Sequence, residues 1–467
     1  MHIGRYRILG LLGRGGMGAV YRAAMPIAGR IVALKVCRPA EIMADLMGLE
    51  AVEKMFLREA VTMAAIEHPN VASILDVDPG EPLPRGHEDM EPEELAERVP
   101  PHFSMGYYCN NLGVLMGENY EVERPSRLLG VDRSLDIAKQ MLAGLDRLHY
   151  EGIMHRDVKP FNVMLADRSN GRDRVKLIDF GLSRLRGEPT RRHKGMVVGS
   201  PYYTAPEQEA SPDAADARAD CYSVGVTLFR MLTGRLPLQD GTGTNASALH
   251  PDLDQHWDTF FKTALEHDPD KRFVHARAMQ EALEELSDQW QTHRDSICPF
   301  FDEESVPRHK RNWKPRTTPI KVGTRAARKQ FGLDKLWRPQ QYGCGGFDDQ
   351  GDGTVVDTCN GLVWEQGGSR FALSFDRAEA HIRRLNENRF GGRKDWRLPT
   401  VEELCTLFTG ANEPGRFCIE SAFDAHKARL WSADTKAYTA AWYADAELGF
   451  IWWQDSTCRF HVRAVAG

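Results

Sequence analysis

One short stretch of the chain holds the residue types that phosphoryl transfer requires. Residues 155–162 include Asp157, Lys159 and Asn162, and Asp179 follows seventeen residues after Asn162. The reaction needs a carboxylate near the accepting hydroxyl, a cation for the transferred group and oxygen ligands for Mg²⁺. Isolated Asp and Asn residues are also common in plain turns. The lysine and the second acid at this spacing favour a catalytic site.

Each of these four side chains has its own expected role. Asp157 is expected to orient or accept the proton of the attacking hydroxyl. Lys159 is expected to neutralise the charge that grows on the transferred phosphoryl group. Asn162 and Asp179 supply the oxygen ligands for Mg²⁺, a hard cation that takes few protein ligands.

A glycine-rich segment near the N-terminus could approach phosphate. Gly13, Gly15, Gly18 and Val20 form a G-x-G-x-x-G-x-V pattern. Glycine lets the backbone come close to phosphate oxygens, although a plain turn uses the same residues. A dinucleotide-binding fold would continue into a helix, whereas residues 19–22 are strand-like. The pattern therefore predicts a hairpin over the phosphates of a nucleotide.

Lys35 lies in the centre of a β-branched strand, residues 31–36. A lysine buried there costs roughly several kcal/mol unless its charge is paired, although a lone lysine would suit an edge strand. A helix over about residues 50–66 offers Glu59 as the partner, and Glu53 is the alternative. We expect Lys35 to meet both a carboxylate and a ligand phosphate.

A flat base would fit next to this lysine. We expect Val20, Ala33 and Met105 to enclose the base, with backbone groups of residues 106–108 at its edge; core packing is the alternative for the methionine and the tyrosines. The expected nucleotide-binding residues are Leu12, Gly13, Gly15, Gly16, Gly18, Val20, Ala33, Lys35, Met105 and Tyr107.

Together these motifs resemble the eukaryotic-type protein kinase family, and its bacterial serine/threonine branch in particular. The resemblance covers about residues 6–290, and it implies an α+β bilobal kinase fold, ATP and Mg²⁺ as cofactors and protein Ser/Thr hydroxyls as acceptors. Lys159 and Ser200 are the features typical of the serine/threonine class. The motifs that carry the resemblance are residues 13–21, 32–35, 155–162, 179–181 and 199–207.

The resemblance also implies structural supports and a regulatory site. Glu207 should pair with Arg272, and Asp220 should hold the catalytic loop. The resemblance implies that Arg156 pairs with a phosphate on the loop that follows Asp179, so autophosphorylation is a hypothesis. The expected regulatory residues are Arg156, Ser183, Thr190 and Ser200. The long segment 39–54, Thr204 and the poorly helical segment 240–254 depart from the family pattern and put substrate docking in doubt.

The composition is that of a globular protein. The 467 residues are 42% hydrophobic and 27% charged, and the net charge of −6 argues against a nucleic-acid binder. We find no signal peptide and no apolar run long enough to span a membrane, so we expect a cytoplasmic protein.

Three zones divide the chain. We expect a kinase domain over residues 1–290, with a small lobe to about 108 and a large lobe over 109–290, then a basic linker over 291–341 and a second domain over 342–467. Residues 308–338 hold eleven Lys/Arg and one acid, which is typical of a solvated connector packed partly on either domain, or of a tether for an acidic partner or nucleic acid. The acidic residues 81–97 are expected to form a solvated insertion.

The nine cysteines include no Cys-x-x-Cys pair, so we expect neither zinc binding nor a disulfide framework. Five of the nine lie in the last quarter of the chain, where a secreted module would use them as bridges. Because an ATP-using domain lies in the same chain, we expect reduced thiols.

The second domain resembles the Lcl-type C-terminal domain over about residues 347–466, which implies a smaller α+β domain with a C-type-lectin-like fold. The acids of residues 348–357 lack the spacing of an EF-hand and favour a solvated turn. Residues 400–403 predict a helix capping box. The tryptophans are expected in the core, with a ligand groove as the alternative. Sensing or recruitment of an unknown ligand or protein is the expected role.

The leading hypothesis is an ATP-dependent serine/threonine protein kinase. A pseudokinase scaffold without turnover is the alternative, and the intact set of Lys35, Asp157, Asn162 and Asp179 speaks against it. A small-molecule kinase is a third possibility, disfavoured by residues 200–207.

Overall fold

The computed structural model of the chain separates into two compact units. Unit 1 comprises Met1–Pro125 and Ser134–Gln291, and unit 2 comprises Ser126–Arg133 and Thr292–Gly467. The structure describes residues 1–84, 98–119, 124–169, 172–179, 184–185, 202–210, 215–237, 245–296, 313–410 and 418–467. Ser183, Thr190, Ser200 and most of the acidic insertion lie outside the described residues.

An antiparallel sheet of six strands begins unit 1. Its strands run in the order β1, β2, β3, β4, β6, β5. In β4, Val32, Leu34 and Val36 enter one hydrophobic cluster, whereas Ala33 and Cys37 enter another. Alternation along the strand therefore puts Lys35 on the second face. The bounds are β1 His2–Ile3, β2 Tyr6–Gly15, β3 Gly18–Ala24, β4 Ile31–Cys37, β5 Ile74–Asp78 and β6 His102–Gly106.

Two helices, α1 Glu41–Met47 and α2 Leu49–Ala64, follow β4 and are separated at Gly48, whose φ is +78°. Helix α2 buries one stripe, which consists of Val52, Phe56, Ala60 and Met63. This spacing of three and four residues is the amphipathic pattern of a helix on a core. Phe56 meets Phe103 of β6 with ring centroids 5.2 Å apart, so α2 packs on the same face of the sheet as Lys35.

The rest of unit 1 is mainly helical. Helix α6 is buried over almost its whole length, which identifies it as the central helix of this lobe. The helices are α3 Leu112–Met116, α4 Val131–Tyr150, α5 Pro206–Ala210, α6 Ala217–Thr233, α7 Gln255–Ala264 and α8 Ala276–Ser296. The strands are β7 Asn110–Asn111, β8 Ile153–Met154, β9 Val163–Ser169, β10 Arg172–Leu177 and β11 Arg184–Leu185.

Unit 2 contains a four-stranded sheet, β12-β13-β14-β18, and a three-stranded sheet, β15-β16-β17. Trp364, Trp431 and Trp442 are fully buried, so these three tryptophans are core residues. The predicted capping box is confirmed at Thr400 and Glu403. The elements are α9 Thr324–Gln330, β12 Phe347–Asp349, β13 Thr354–Asp357, β14 Val363–Glu365, α10 Phe375–Glu387, α11 Val401–Thr406, β15 Arg429–Ala437, β16 Ala440–Asp445, β17 Phe450–Asp455 and β18 Val465–Ala466.

The end of the expected linker contains a short helix. Residues 313–341 include α9 and contribute buried side chains to the core of unit 2. Ala327 and Phe331 are four residues apart and buried, and the Phe331 ring lies 5.3 Å from that of Trp442. The basic residues between them concealed a short apolar stripe.

The expectation of reduced thiols is wrong for Cys344 and Cys359, which lie fifteen residues apart and form a disulfide. Cys37, Cys221, Cys405 and Cys418 are buried cysteines with reduced thiols. Burial raises the pKa of Cys418 to about 11, which keeps that thiol protonated. In the part of the chain that is described, no helix combines the length and the apolar character that crossing a membrane requires.

Candidate active site

The predicted catalytic residues lie on the loop between β8 and β9. The Asp157 carboxylate forms an ion pair with Lys159 Nζ at 2.8 Å. It also accepts a hydrogen bond from Asn162 Nδ2 at 2.9 Å. A 3₁₀ turn, Pro160–Asn162, carries the asparagine back to the aspartate, and proline suits the first position of such a turn because its φ is fixed. Three of the predicted side chains therefore meet at one carboxylate.

Asp220 fixes the backbone of this loop from the first turn of α6. Its carboxylate accepts hydrogen bonds from the backbone N–H of His155 at 2.9 Å and of Arg156 at 2.8 Å. His149 Nε2 lies 2.8 Å from the same carboxylate. Burial alone would raise the pKa of Asp220, but the hydrogen bond and the charge of His149 outweigh it, and the pKa is lowered. Asp220 is thus held in the ionised form that accepts these bonds.

Arg156 has a strained backbone, with φ at +64°. Such a conformation costs about 1–3 kcal/mol for a non-glycine residue unless its surroundings impose it. Two bonds impose it here, since its N–H donates to Asp220 and its carbonyl accepts from Gln208 Nε2 at 2.6 Å. The strain turns the chain immediately before Asp157.

Lys35 contacts two carboxylates. Its Nζ lies 3.2 Å from Glu59 Oε1 and 3.0 Å from Asp179 Oδ1. Burial alone would lower the pKa of Lys35, but the charges of Asp179 and Glu59 outweigh burial and raise it. The alternative partner, Glu53, contacts Arg98 instead. Lys35 is therefore a charged group shared between α2 and the residues after β10.

Asp179 is the second acid of the predicted site. Its backbone φ is +64°, and its carboxylate faces Lys35. The charge of Lys35 lowers the pKa of Asp179, although burial opposes this effect. A carboxylate that stays ionised suits a cation as well as it suits a lysine.

The residues expected around the base lie on three neighbouring strands. Ala33 is directly opposite Met105 in the β4–β6 ladder, and both are buried in one cluster against which Val20 packs. Tyr107 follows β6, and burial raises its pKa. Leu12 on β2 is about half exposed, at 48%. The aliphatic side chains thus surround one patch between β3 and β6.

Among the glycines of the hairpin, Gly18 is the one that the fold requires. A Cβ on Gly18 would lie only 2.1 Å from the carbonyl oxygen of Val36. Gly13 has open space around its Cβ position, and Gly15 and Gly16 have only ordinary contacts there. Packing within the described residues therefore does not require glycine at these three positions.

Asn162 and Asp179 have the chemistry of a magnesium site. The NH₂ group of Asn162 donates a hydrogen bond to Asp157, which leaves the amide oxygen as a ligand for a cation. Asp179 offers an ionised carboxylate. Mg²⁺ typically takes one or two protein oxygens and completes its shell with phosphates and waters. Over the described residues, no group of three or more His, Cys, Asp or Glu side chains could hold a metal by itself. The donor set fits a cation that arrives with a nucleotide.

The expected support pair on the large lobe is bidentate. Arg272 Nη1 and Nη2 donate to the two carboxylate oxygens of Glu207 at 2.7 and 2.8 Å. Such forked geometry is the strongest form of an ion pair. It fixes the start of α5, which begins at Pro206.

A buried network next to this segment escaped the sequence analysis. Arg230 and Glu118 are both fully buried and pair at 2.9 Å, and Tyr203 donates to the same carboxylate at 2.6 Å. Ser223 donates to the carbonyl of Tyr203 at 2.6 Å. The signal was Arg230 in the mostly apolar second half of helix α6, because a buried charge requires a partner. Of the expected regulatory residues, Arg156 is described and buried.

Comparison with protein families assigns both units. Residues 102–297 match the protein kinase domain family, and residues 353–466 match the Lcl C-terminal domain family. The chain therefore contains a region that matches the protein kinase domain, followed by a region that matches the Lcl C-terminal domain. The predicted fold class, a kinase fold followed by a smaller domain of mixed structure, is confirmed.

The similar proteins are bacterial kinases. The chain is 32% identical over 311 residues to the serine/threonine-protein kinase PksC of Streptomyces coelicolor. The match covers 63% of this chain and 51% of that protein. It is 32% identical over 289 residues to PknJ of Mycobacterium tuberculosis, which covers 58% of this chain and 43% of that protein. The chain spans about half the length of these curated relatives.

Among solved structures, a crystal structure of the Mycobacterium tuberculosis PknI kinase domain is 26% identical. The match covers 61% of this chain and 97% of that domain, with a TM-score of 0.43.

Proposed function

We propose that the chain is an ATP-dependent serine/threonine protein kinase that transfers the γ-phosphoryl group of Mg-ATP to Ser or Thr hydroxyls of proteins. The observation that supports this proposal most is the site itself. Asp157, Lys159 and Asn162 meet on one loop, while Lys35 connects Glu59 with Asp179. The kinase domain match and the bacterial kinase relatives support the same reaction.

Each side chain has a part in the reaction. Asp157 orients the acceptor hydroxyl, and Lys159 shields the charge of the transferred group. Lys35, held by Glu59, takes the phosphates of the nucleotide. Bound Mg²⁺, held by Asn162 and Asp179, would neutralise charge between the β- and γ-phosphates. Most of the catalysis is then positioning and electrostatic stabilisation of the transition state.

Regulation and the second unit belong to the same proposal. Arg156, directly before Asp157, is the expected receiver of a phosphate placed by autophosphorylation on the segment that holds Ser183, Thr190 and Ser200. The Lcl C-terminal domain would sense a ligand or recruit a protein. ATP is a cytoplasmic substrate, so the proposed location is the cytoplasm, and fractionation of cells expressing the chain tests it.

The test is transfer of labelled phosphate from γ-labelled ATP to a generic protein acceptor. Lys35→Met should lower the rate of phosphate transfer at least about a hundredfold, because Lys35 is proposed to bind the phosphates of the nucleotide. Lys54→Met is the matched control, because Lys54 is an exposed lysine of α2 that pairs with the exposed Glu50. Acid hydrolysis of the product should yield phosphoserine or phosphothreonine.

The result also separates the alternative. A wild-type chain that binds Mg-ATP and transfers no phosphate would support the scaffold without turnover and overturn the proposal. Phosphotyrosine as the main product would overturn the Ser/Thr assignment alone.

A further inference from the structure

Helix α2, which carries Glu59, is held by an ion pair on each side of its buried stripe. Glu53 lies three residues before Phe56, and Glu59 lies three residues after it. At about 100° per residue, the two carboxylates project roughly 60° to either side of Phe56. Glu59 meets Lys35 on one side, and Glu53 meets Arg98 on the other. The apolar stripe lies between these two attachments.

Arg98 is itself held by the residues around it. Its guanidinium also donates to the carbonyl of Glu81. The backbone N–H of Glu81 donates to the Val99 carbonyl at 2.8 Å, and the Glu81 carboxylate accepts from the Val99 N–H at 3.1 Å. Gly80, with φ at +69°, allows this closure, because a Cβ there would lie 2.4 Å from the Val99 oxygen. We call Gly80, Glu81, Arg98 and Val99 the clamp.

The pair between the clamp and α2 is shielded from water. The side chains of Arg98 and Glu53 are only 9% and 11% exposed. An ion pair that is this buried is screened little by salt and is directional, unlike the exposed pair of Lys54 and Glu50 on the same helix. A rotation of α2 about its axis that would separate Glu59 from Lys35 would also move Glu53 relative to Arg98.

We propose that Arg98 is a positioning residue for phosphoryl transfer, which acts through Glu53 to keep α2 in the orientation where Glu59 meets Lys35. This inference rests on the proposed kinase function. An apolar stripe tolerates small rotations, since its contacts are not directional. Two ion pairs about 120° apart around the helix remove that freedom. The clamp thus holds Glu81 and Arg98 together and, through Glu53 and α2, determines where Glu59 meets Lys35.

The test is the steady-state rate of the full chain with Mg-ATP and a peptide acceptor. Arg98→Gln and Glu53→Gln should each lower kcat at least about tenfold, and the double variant should be no worse than either single one, as expected for two residues that act as a pair. Arg98→Lys should recover most of the lost kcat. Lys54→Gln is the matched control and should stay within about twofold of the wild type.

The melting temperature of every variant is measured alongside. Arg98→Gln and Glu53→Gln with kcat within about twofold of the wild type, whatever their melting temperatures, would overturn the positioning role. If the single variants fail to fold, the double variant, which leaves no lone charge, decides between the two outcomes. An inactive wild-type chain would instead refute the proposed function, so the two failures are distinguishable.

Discussion

Removing Glu118 should destabilise the kinase unit more than most single changes. Glu118→Leu takes the carboxylate from Arg230, which is fully buried, and from the hydroxyl of Tyr203. Arg230 keeps hydrogen bonds to the carbonyls of Gly234 and Arg124 but loses its ion pair with Glu118. Breaking one side of a buried pair costs about 3–5 kcal/mol. The melting temperature of the unit should fall by about 6–20 °C.

The double variant Glu118→Leu/Arg230→Met supplies the decisive comparison. Because a buried ion pair replaced by apolar groups of similar volume is often neutral, the double variant should lie within about 1 kcal/mol of the wild type. Lys271→Met is the control, since it removes an exposed pair with Asp268 and should cost less than about 1 kcal/mol.

Amide hydrogen exchange of α6 peptides in increasing urea is the assay. It reports on unit 1 alone, which matters because a chain of two units does not unfold in one step. If Glu118→Leu cost less than about 1 kcal/mol, or if the double variant were as unstable as the single one, the account of this network would be refuted.

Three further predictions follow from single contacts. Gly18→Ala should weaken ATP binding and lower the melting temperature, both measured by calorimetry, because the alanine Cβ would lie 2.1 Å from the Val36 oxygen. Gly13→Ala is the control and should leave the melting temperature unchanged, because the space around its Cβ position is open. Thr400→Ala should cost about 1 kcal/mol in urea unfolding of unit 2, since the cap to Glu403 is lost, and a cost near zero would contradict this. The pKa of Asp179 is lowered by Lys35 from the ordinary 3.8, so its charge stabilises the fold above pH 3.8 and the effect is lost as the pH falls through the lower folded value. Asp179→Asn should therefore be less stable than the wild type at pH 6, and the difference should shrink towards pH 3; a difference that does not depend on pH would contradict the pairing.

The residues that carry local chemistry could be predicted from the sequence. A lysine in an apolar strand requires a carboxylate, and the helix that follows supplied Glu59. Asp157 and Asn162 are close in sequence, so their short turn brings them together with little dependence on the rest of the fold. The capping box at residues 400–403 is equally local.

Partners that are distant in sequence could not be predicted. Glu53 and Arg98 are 45 residues apart, and Glu118 and Arg230 are 112 apart. Nothing in the spacing of such residues indicates which charges meet, because tertiary packing decides it. Helix α9 was missed for another reason, since its basic surface residues outnumber the few apolar ones that enter the core.

We propose that this site transfers phosphate with Asp157 at the acceptor hydroxyl. The most direct measurement is the rate of transfer from γ-labelled Mg-ATP by the wild-type chain and by Asp157→Asn, with nucleotide affinity determined for both. We predict that the variant binds Mg-ATP within about threefold of the wild type and transfers phosphate at least about a hundredfold more slowly, as general-base residues typically require. A variant that keeps the wild-type rate, or a wild-type chain that binds the nucleotide without transfer, would contradict the account.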